Sequence, residues 1–147
     1  SPKKAKDYML NPGDILFARS GATVGKTYLY RGGFDACYAG YLIRARCGEK
    51  LLPEFLFLYT KTSMYEVWKN SVYIQATIPN IGADKYSELR VLVPPIEEQK
   101  EIIEAVNKKC ESINNLQREL KAQIEDLYKY RDAIISEAVT GQIDCPE

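Results

Sequence analysis

The chain has 147 residues, 20 basic against 20 acidic side chains, four cysteines and no histidine. The missing histidine removes Ser-His-Asp and Cys-His catalysis and the commonest general base. Cys37, Cys47, Cys110 and Cys145 lie apart without a C-x-x-C pair, and nothing reads as a signal peptide or membrane span, so the expectation is a reduced cytoplasmic protein with no metal and no cofactor.

Charge is unevenly divided. Residues 1–95 hold 13 Lys and Arg against 8 Asp and Glu, whereas residues 96–147 hold 7 against 12. A basic first segment suits a polyanion without demanding one.

In chain order, residues 1–8 are a lysine-rich polar lead-in, disordered or cut. Asn11-Pro12-Gly13-Asp14 reads as a turn, because proline fixes φ and glycine accepts a positive one. Ile15 to Arg19 follows as a short buried strand, Ser20 to Gly25 as a loop, and Lys26 to Arg31 as an alternating second strand. Tyr38 to Arg46 reads as a third, with Tyr38, Leu42 and Arg44 on one face. Glycine turns between short strands point to an antiparallel sheet.

Pro53 sits where a helix begins, since its missing N–H costs nothing there. Phe55, Leu56, Leu58 and Tyr59 mark its buried face, and a second helical group runs from Met64 to Trp68. Tyr73 to Ile78 reads as extended chain, Pro79 to Gly82 as a turn, and Leu89 to Val93 as a last strand. Pro94-Pro95 stops that strand and launches a long helix.

From Glu97 to about Ala138 there is neither proline nor glycine. Glu97, Glu98 and Glu101 crowd the positive end of the helix dipole, and Gly141 ends the run. Glu104 with Lys108 and Glu125 with Lys129 are spaced for i,i+4 support. Val106, Ile113, Leu120, Leu127 and Ile134 recur every seventh residue. Cys110, Gln117, Ile124, Arg131 and Ala138 interleave with them, which is a coiled-coil seam. Such a helix rises about 63 Å, against roughly 30 Å for a globule of this length. It is expected to project and to need a partner. A homodimer through antiparallel pairing of the seam is predicted, with Gln117 and Arg131 selecting register; pairing with a different chain is the alternative. The fold class is α+β, divided into a small β-rich domain over 1–95 and the helix over 96–147.

Two motif resemblances are set aside on spacing. Gly21 to Thr27 looks like a phosphate-binding loop but has three residues between its glycines instead of four, and strand follows it instead of helix. Val93-Pro94-Pro95-Ile96 lacks the flanking residues of an amino-methyltransferase motif. Tyr28, Tyr30, Tyr59 and Tyr65 have strand or helix spacing and read as packing before they read as base-stacking platforms.

Several stretches, in order, resemble the DNA specificity subunit of type I restriction-modification enzymes. They are Gly13-Asp14-Ile15-Leu16-Phe17 with Arg19 to Lys26; Gln75-Ala76-Thr77-Ile78-Pro79-Asn80-Ile81; and Val91 to Gln99. Tyr130 to Ile135 and Ala138 to Asp144 complete the set. The resemblance implies a subunit with two target recognition domains, each followed by a long helix. The helices pair antiparallel as a spacer, each domain reads half of a split double-stranded DNA site, and the spacer docks the methyltransferase (modification) subunits, with the restriction subunit joining through the complex. One recognition segment and one helix make this chain half of such a subunit, with strands expected ahead of its first turn.

On that reading, Arg19 and Lys26 flank the reading loop. Arginine suits bidentate contact with guanine or phosphate, and lysine suits phosphate. Ser20 and Thr23 donate to phosphate oxygens, while Gly21 and Gly25 let a ligand approach the backbone. Gln75, Thr77 and Asn80 form a second polar cluster. The competing readings are a loop that only closes a hairpin, and a coiled-coil adaptor whose head binds protein.

Overall fold

The computed structural model describes residues 6–74 and 80–143. The chain divides into two compact units, Ser1–Ile103 and Glu104–Glu147. The class is α+β. The first unit therefore runs past the boundary expected at residue 95 and takes in the start of the long helix.

Its centre is a three-stranded antiparallel sheet in the order β2-β1-β3, with β1 at Ile15–Ala18, β2 at Thr27–Leu29 and β3 at Leu42–Ala45. In β1 all four residues are buried, because side chains alternate in direction and both faces are covered. Ile15 and Phe17 join Leu29, Leu56 and Tyr65 in one core cluster; Leu16 joins Leu10 and Tyr30 in another. Tyr38 and Leu42 pack on the second cluster, and the Arg44 guanidinium lies 5.0 Å from the Tyr38 ring centroid, so the shared face read for these three residues holds. The strands are shorter than their sequence patterns.

Helix α1 (Pro53–Tyr59) begins with proline at its first turn, as its sequence implies. Helix α2 (Ser63–Ile74) extends well past Trp68 and takes in Tyr73 and Ile74, which had read as extended chain. Tyr65, Trp68, Lys69 and Val72 share its inward face at helical spacing, and the Thr62 hydroxyl accepts the Tyr65 N–H at 3.4 Å near its start. A short helix α3 (Ala83–Ser87) follows. The strand expected at Leu89–Val93 is absent. That run is irregular, with Leu89 and Val91 packed on the first core and the Arg90 carbonyl accepting the Tyr59 hydroxyl at 3.0 Å. Alternating burial here comes from laying one side of irregular chain on a core, without a neighbouring strand.

Helix α4 (Ile96–Val139) has 44 residues. Gln99 is fully buried near its start; its Oε1 accepts the Leu52 N–H at 2.9 Å and its Nε2 donates to the carbonyls of Lys50 and Pro94 at 2.9 and 2.8 Å. The helix ends in a Schellman arrangement: Gly141 has φ +70°, and the Gln142 N–H reaches the Glu137 carbonyl at 2.8 Å. Among the described ion pairs, the expected i,i+4 partners are replaced by Glu97 with Lys100 and Asp126 with Lys129, three residues apart and exposed. Such pairs contribute only tenths of a kcal/mol.

The turn before β1 is held by one carboxylate. Asp14 is 2% exposed, accepts the Asn11 N–H at 2.8 Å, and meets Arg46 through Nε at 2.7 Å and Nη2 at 3.3 Å. Burial opposes its ionisation, but the Arg46 hydrogen bonds, the Asn11 N–H and the charges of Arg46 and Arg44 outweigh that and hold its carboxyl below the usual range. A folded-state pKa below the unfolded one adds stability above about pH 4, and this is lost as pH falls through the folded value. Urea midpoints should therefore separate wild type from Asp14→Asn at pH 7 and converge toward pH 3. A gap that persists unchanged at pH 3 contradicts this role.

Candidate nucleic-acid interface

The loop Arg19–Lys26 leaves the end of β1 and returns as β2. Its base is closed by the Ala18 N–H on the Lys26 carbonyl and the Gly25 N–H on the Ala18 carbonyl, each at 2.9 Å. Within it Gly21–Thr23 form a single 3-10 turn, and Gly21 has φ +78°, a conformation that side-chain-bearing residues rarely adopt. The loop leads into a strand and not into a helix, so the phosphate-loop reading has no structural counterpart.

Two tyrosines pin the loop from the core side. Tyr65, on α2, donates to the Gly25 carbonyl at 2.8 Å; Tyr86, on α3, donates to the Ala18 carbonyl at 2.9 Å. Burial pushes both phenols above their ordinary value, so they remain protonated donors. Lys69 lies where a Cβ on Gly25 would sit, 2.2 Å from that position at Cδ, and is ion-paired with Glu66. Gly25 is consequently buried, and the structure uses it to shape the loop from within, where open access for a ligand had been expected.

The outer side is polar. Gly21, Thr23 and Lys26 are exposed, and Arg19 and Ser20 are half-buried. Ser20 bridges Asn80 through the backbone, the Ile81 N–H meets the Arg19 carbonyl at 2.8 Å, and Arg19 Nε reaches Asn80 Oδ1 at 3.4 Å. Ile81 is fully buried and fixes this junction. Of the second polar cluster read from the sequence, Asn80 thus lies against Arg19 and Ser20; Gln75 and Thr77 lie outside the described residues. Neither Arg19 nor Lys26 belongs to an ion pair among the described residues, so both cations are free to meet an anion.

Tyr65, Tyr86, Lys69 and Ile81 are the supports that the sequence did not reveal. Helical spacing marked Tyr65 as buried, but spacing carries no information on where a hydroxyl points.

The second unit carries the apolar seam. Val106 and Ala138 are half-buried; Cys110, Ile113, Gln117, Leu120, Ile124, Leu127, Arg131 and Ile134 are exposed, Leu120 by 48% and Leu127 by 66%. Leu116, Tyr128, Tyr130 and Ile135 widen the stripe toward its C-terminal end. Arg131, a polar position on the seam, is held by Asp132 at 2.7 Å and stacks 5.1 Å from the Tyr128 centroid.

A family model described as the type I restriction modification DNA specificity domain matches residues 1–126. The type I restriction enzyme StySPI specificity subunit of Salmonella potsdam is 25% identical over 137 residues, 91% of this chain and 30% of that protein. The EcoKI specificity subunit of Escherichia coli K12 is 24% identical over the same shares. The chain thus spans under a third of the curated relatives it matches. A solved chain, from work on complex assembly and conformational transition of the type I R-M system, superposes with TM-score 0.75 at 22% identity, covering 89% of this chain and 31% of that one. At that identity the likeness speaks to the fold.

Because Tyr65 is the one hydrogen-bond donor to the Gly25 carbonyl among the described residues, Tyr65→Phe should cost about 1–2 kcal/mol in urea unfolding. It should also speed amide exchange at Lys26, next to the loop base. A variant with wild-type stability and exchange contradicts the clamp.

Proposed function

The chain belongs to the family of type I restriction modification DNA specificity domains, and from that premise we propose that it recognises DNA by sequence and has no catalysis of its own. The observation that carries this is the convergence of Arg19, Ser20 and Asn80 at one pinned loop, beside Lys26, which has no ion-pair partner among the described residues. Arginine supplies a planar fork for guanine or phosphate, and the Asn80 amide can donate and accept toward a base edge while orienting that fork. Lys26 and the Thr23 hydroxyl supply phosphate contacts that set position without reading sequence. A loop held from behind loses little freedom on binding, which favours discrimination.

The helix seam serves assembly. Leaving apolar area wet costs about 25 cal/mol per Å², and a second copy, laid antiparallel, offers the complementary stripe. One recognition unit would then read one half of a bipartite site, with the paired helices spacing the halves and docking methyltransferase and restriction subunits. Light scattering at micromolar concentration should report a dimer, and Leu120→Lys a monomer with its helix retained. A wild-type monomer with an intact helix rejects the homodimer.

DNA reading has its own test, carried out on the full chain with duplex DNA across a salt series. Log affinity should fall with log salt by about 0.9 per phosphate contact. Lys26→Ala should flatten that slope by about one unit for every sequence, and Arg19→Ala should weaken discrimination at one position by about 1–3 kcal/mol. Binding indifferent to both substitutions removes the loop from the interface. A head that binds protein and ignores duplex would favour the adaptor reading.

A further inference from the structure

A second cationic feature stands on the outer strand of the sheet, apart from the loop. Phe57 of α1 is flanked by two cations: Lys61 Nζ lies 4.4 Å from its ring centroid and the Arg31 guanidinium carbon 5.9 Å. Arg31 lies two residues past β2, and Lys61 two residues past α1. Lys61 also donates to the Thr27 hydroxyl at 2.9 Å, which shares a 2.7 Å hydrogen bond with the Thr60 hydroxyl; Thr60 in turn donates to the Phe57 carbonyl at 2.7 Å. That relay and the ring fix the direction of a side chain that is otherwise loose.

Both cations are exposed, and neither is ion-paired among the described residues. Glu66, whose charge reaches Lys61, is already tied to Lys69. Two like charges gathered on one ring, with no ion-pairing carboxylate among the described residues, repel each other, and an anion relieves that repulsion. Leu29 of β2 packs in the core cluster that Phe57 lies against, and Thr27, two residues before it, shares its face of the strand. Strand β2 is an edge strand, with Lys26 just before it and Arg31 just after it in the chain.

We propose that Arg31 and Lys61, held on Phe57, form a second phosphate-contact site along β2, gripping the backbone of the same duplex that the Arg19–Lys26 loop reads. The inference rests on the DNA-reading proposal. Its chemistry is sequence-blind: arginine takes phosphate oxygens in a fork, lysine takes them as a point charge.

The test uses the full chain, a duplex carrying its preferred sequence and an unrelated duplex, with affinity followed across salt. The double variant Arg31→Ala/Lys61→Ala should flatten the log–log slope by about two units on both duplexes, leaving the affinity ratio between them unchanged. Arg31→Gln/Lys61→Gln, which removes charge but keeps donors, should do the same, and Arg31→Lys/Lys61→Arg should restore the wild-type slope. If Lys26→Ala flattens the slope while both double variants leave it intact, this site is overturned and the loop reading stands. If inorganic phosphate raises the melting temperature of wild type but not of the double variants, while the duplex slopes coincide, the site takes free phosphate and the proposal fails. Wild type that binds no duplex overturns both readings.

Discussion

Burial of β1 on both faces is the constraint from which the recognition unit follows. Ile15 and Phe17 point into one core cluster, Leu16 into the other, and a slip of one residue would exchange them. Register is therefore fixed, and with it the height at which Arg19 and Ser20 emerge. The helices α2 and α3 that cover the first face also bring Tyr65 and Tyr86 to the carbonyls at the loop base. The packing that forms the core and the geometry that aims the loop are the same set of contacts.

A second constraint acts on α4. Its first turns belong to the globular unit through the buried Gln99 amide, which satisfies one N–H and two carbonyls left by irregular chain. Gln99 is the last residue of the proline-led motif that resembles the specificity subunits, and its burial supplies a physical reason for an amide there: a carboxylate could not donate, and an aliphatic side chain would strand three backbone groups. Beyond Ile103 the helix changes character and most of its apolar positions are exposed. One helix thus serves as part of the body at its start and as an unpartnered stripe thereafter.

Features set by local chemistry were legible in the sequence. The Pro12-Gly13 turn, the uninterrupted apolar run of β1, the proline opening α1, and the long helix between Pro95 and Gly141 were all read from adjacent residues. Features set by distant contacts were not. The extension of α2 past Trp68 depends on what packs beneath it, and the irregular run at 89–93 mimics a strand because one side of it is buried. At the candidate interface, Arg19 and Asn80 stand 61 positions apart, and nothing in the sequence brings them together. Cation pairs such as Arg31 and Lys61 on Phe57 escape sequence reading for the same reason, since they join a strand end to a helix end.

Sequence-specific recognition of duplex DNA is the central claim, and selection from a pool of duplexes with a randomised centre tests it most directly. Full-length chain retaining duplexes through rising salt should enrich a short shared motif, present as two inverted copies at one fixed separation if the long helices pair antiparallel. Retained duplexes with no common motif beyond the starting composition would contradict the account.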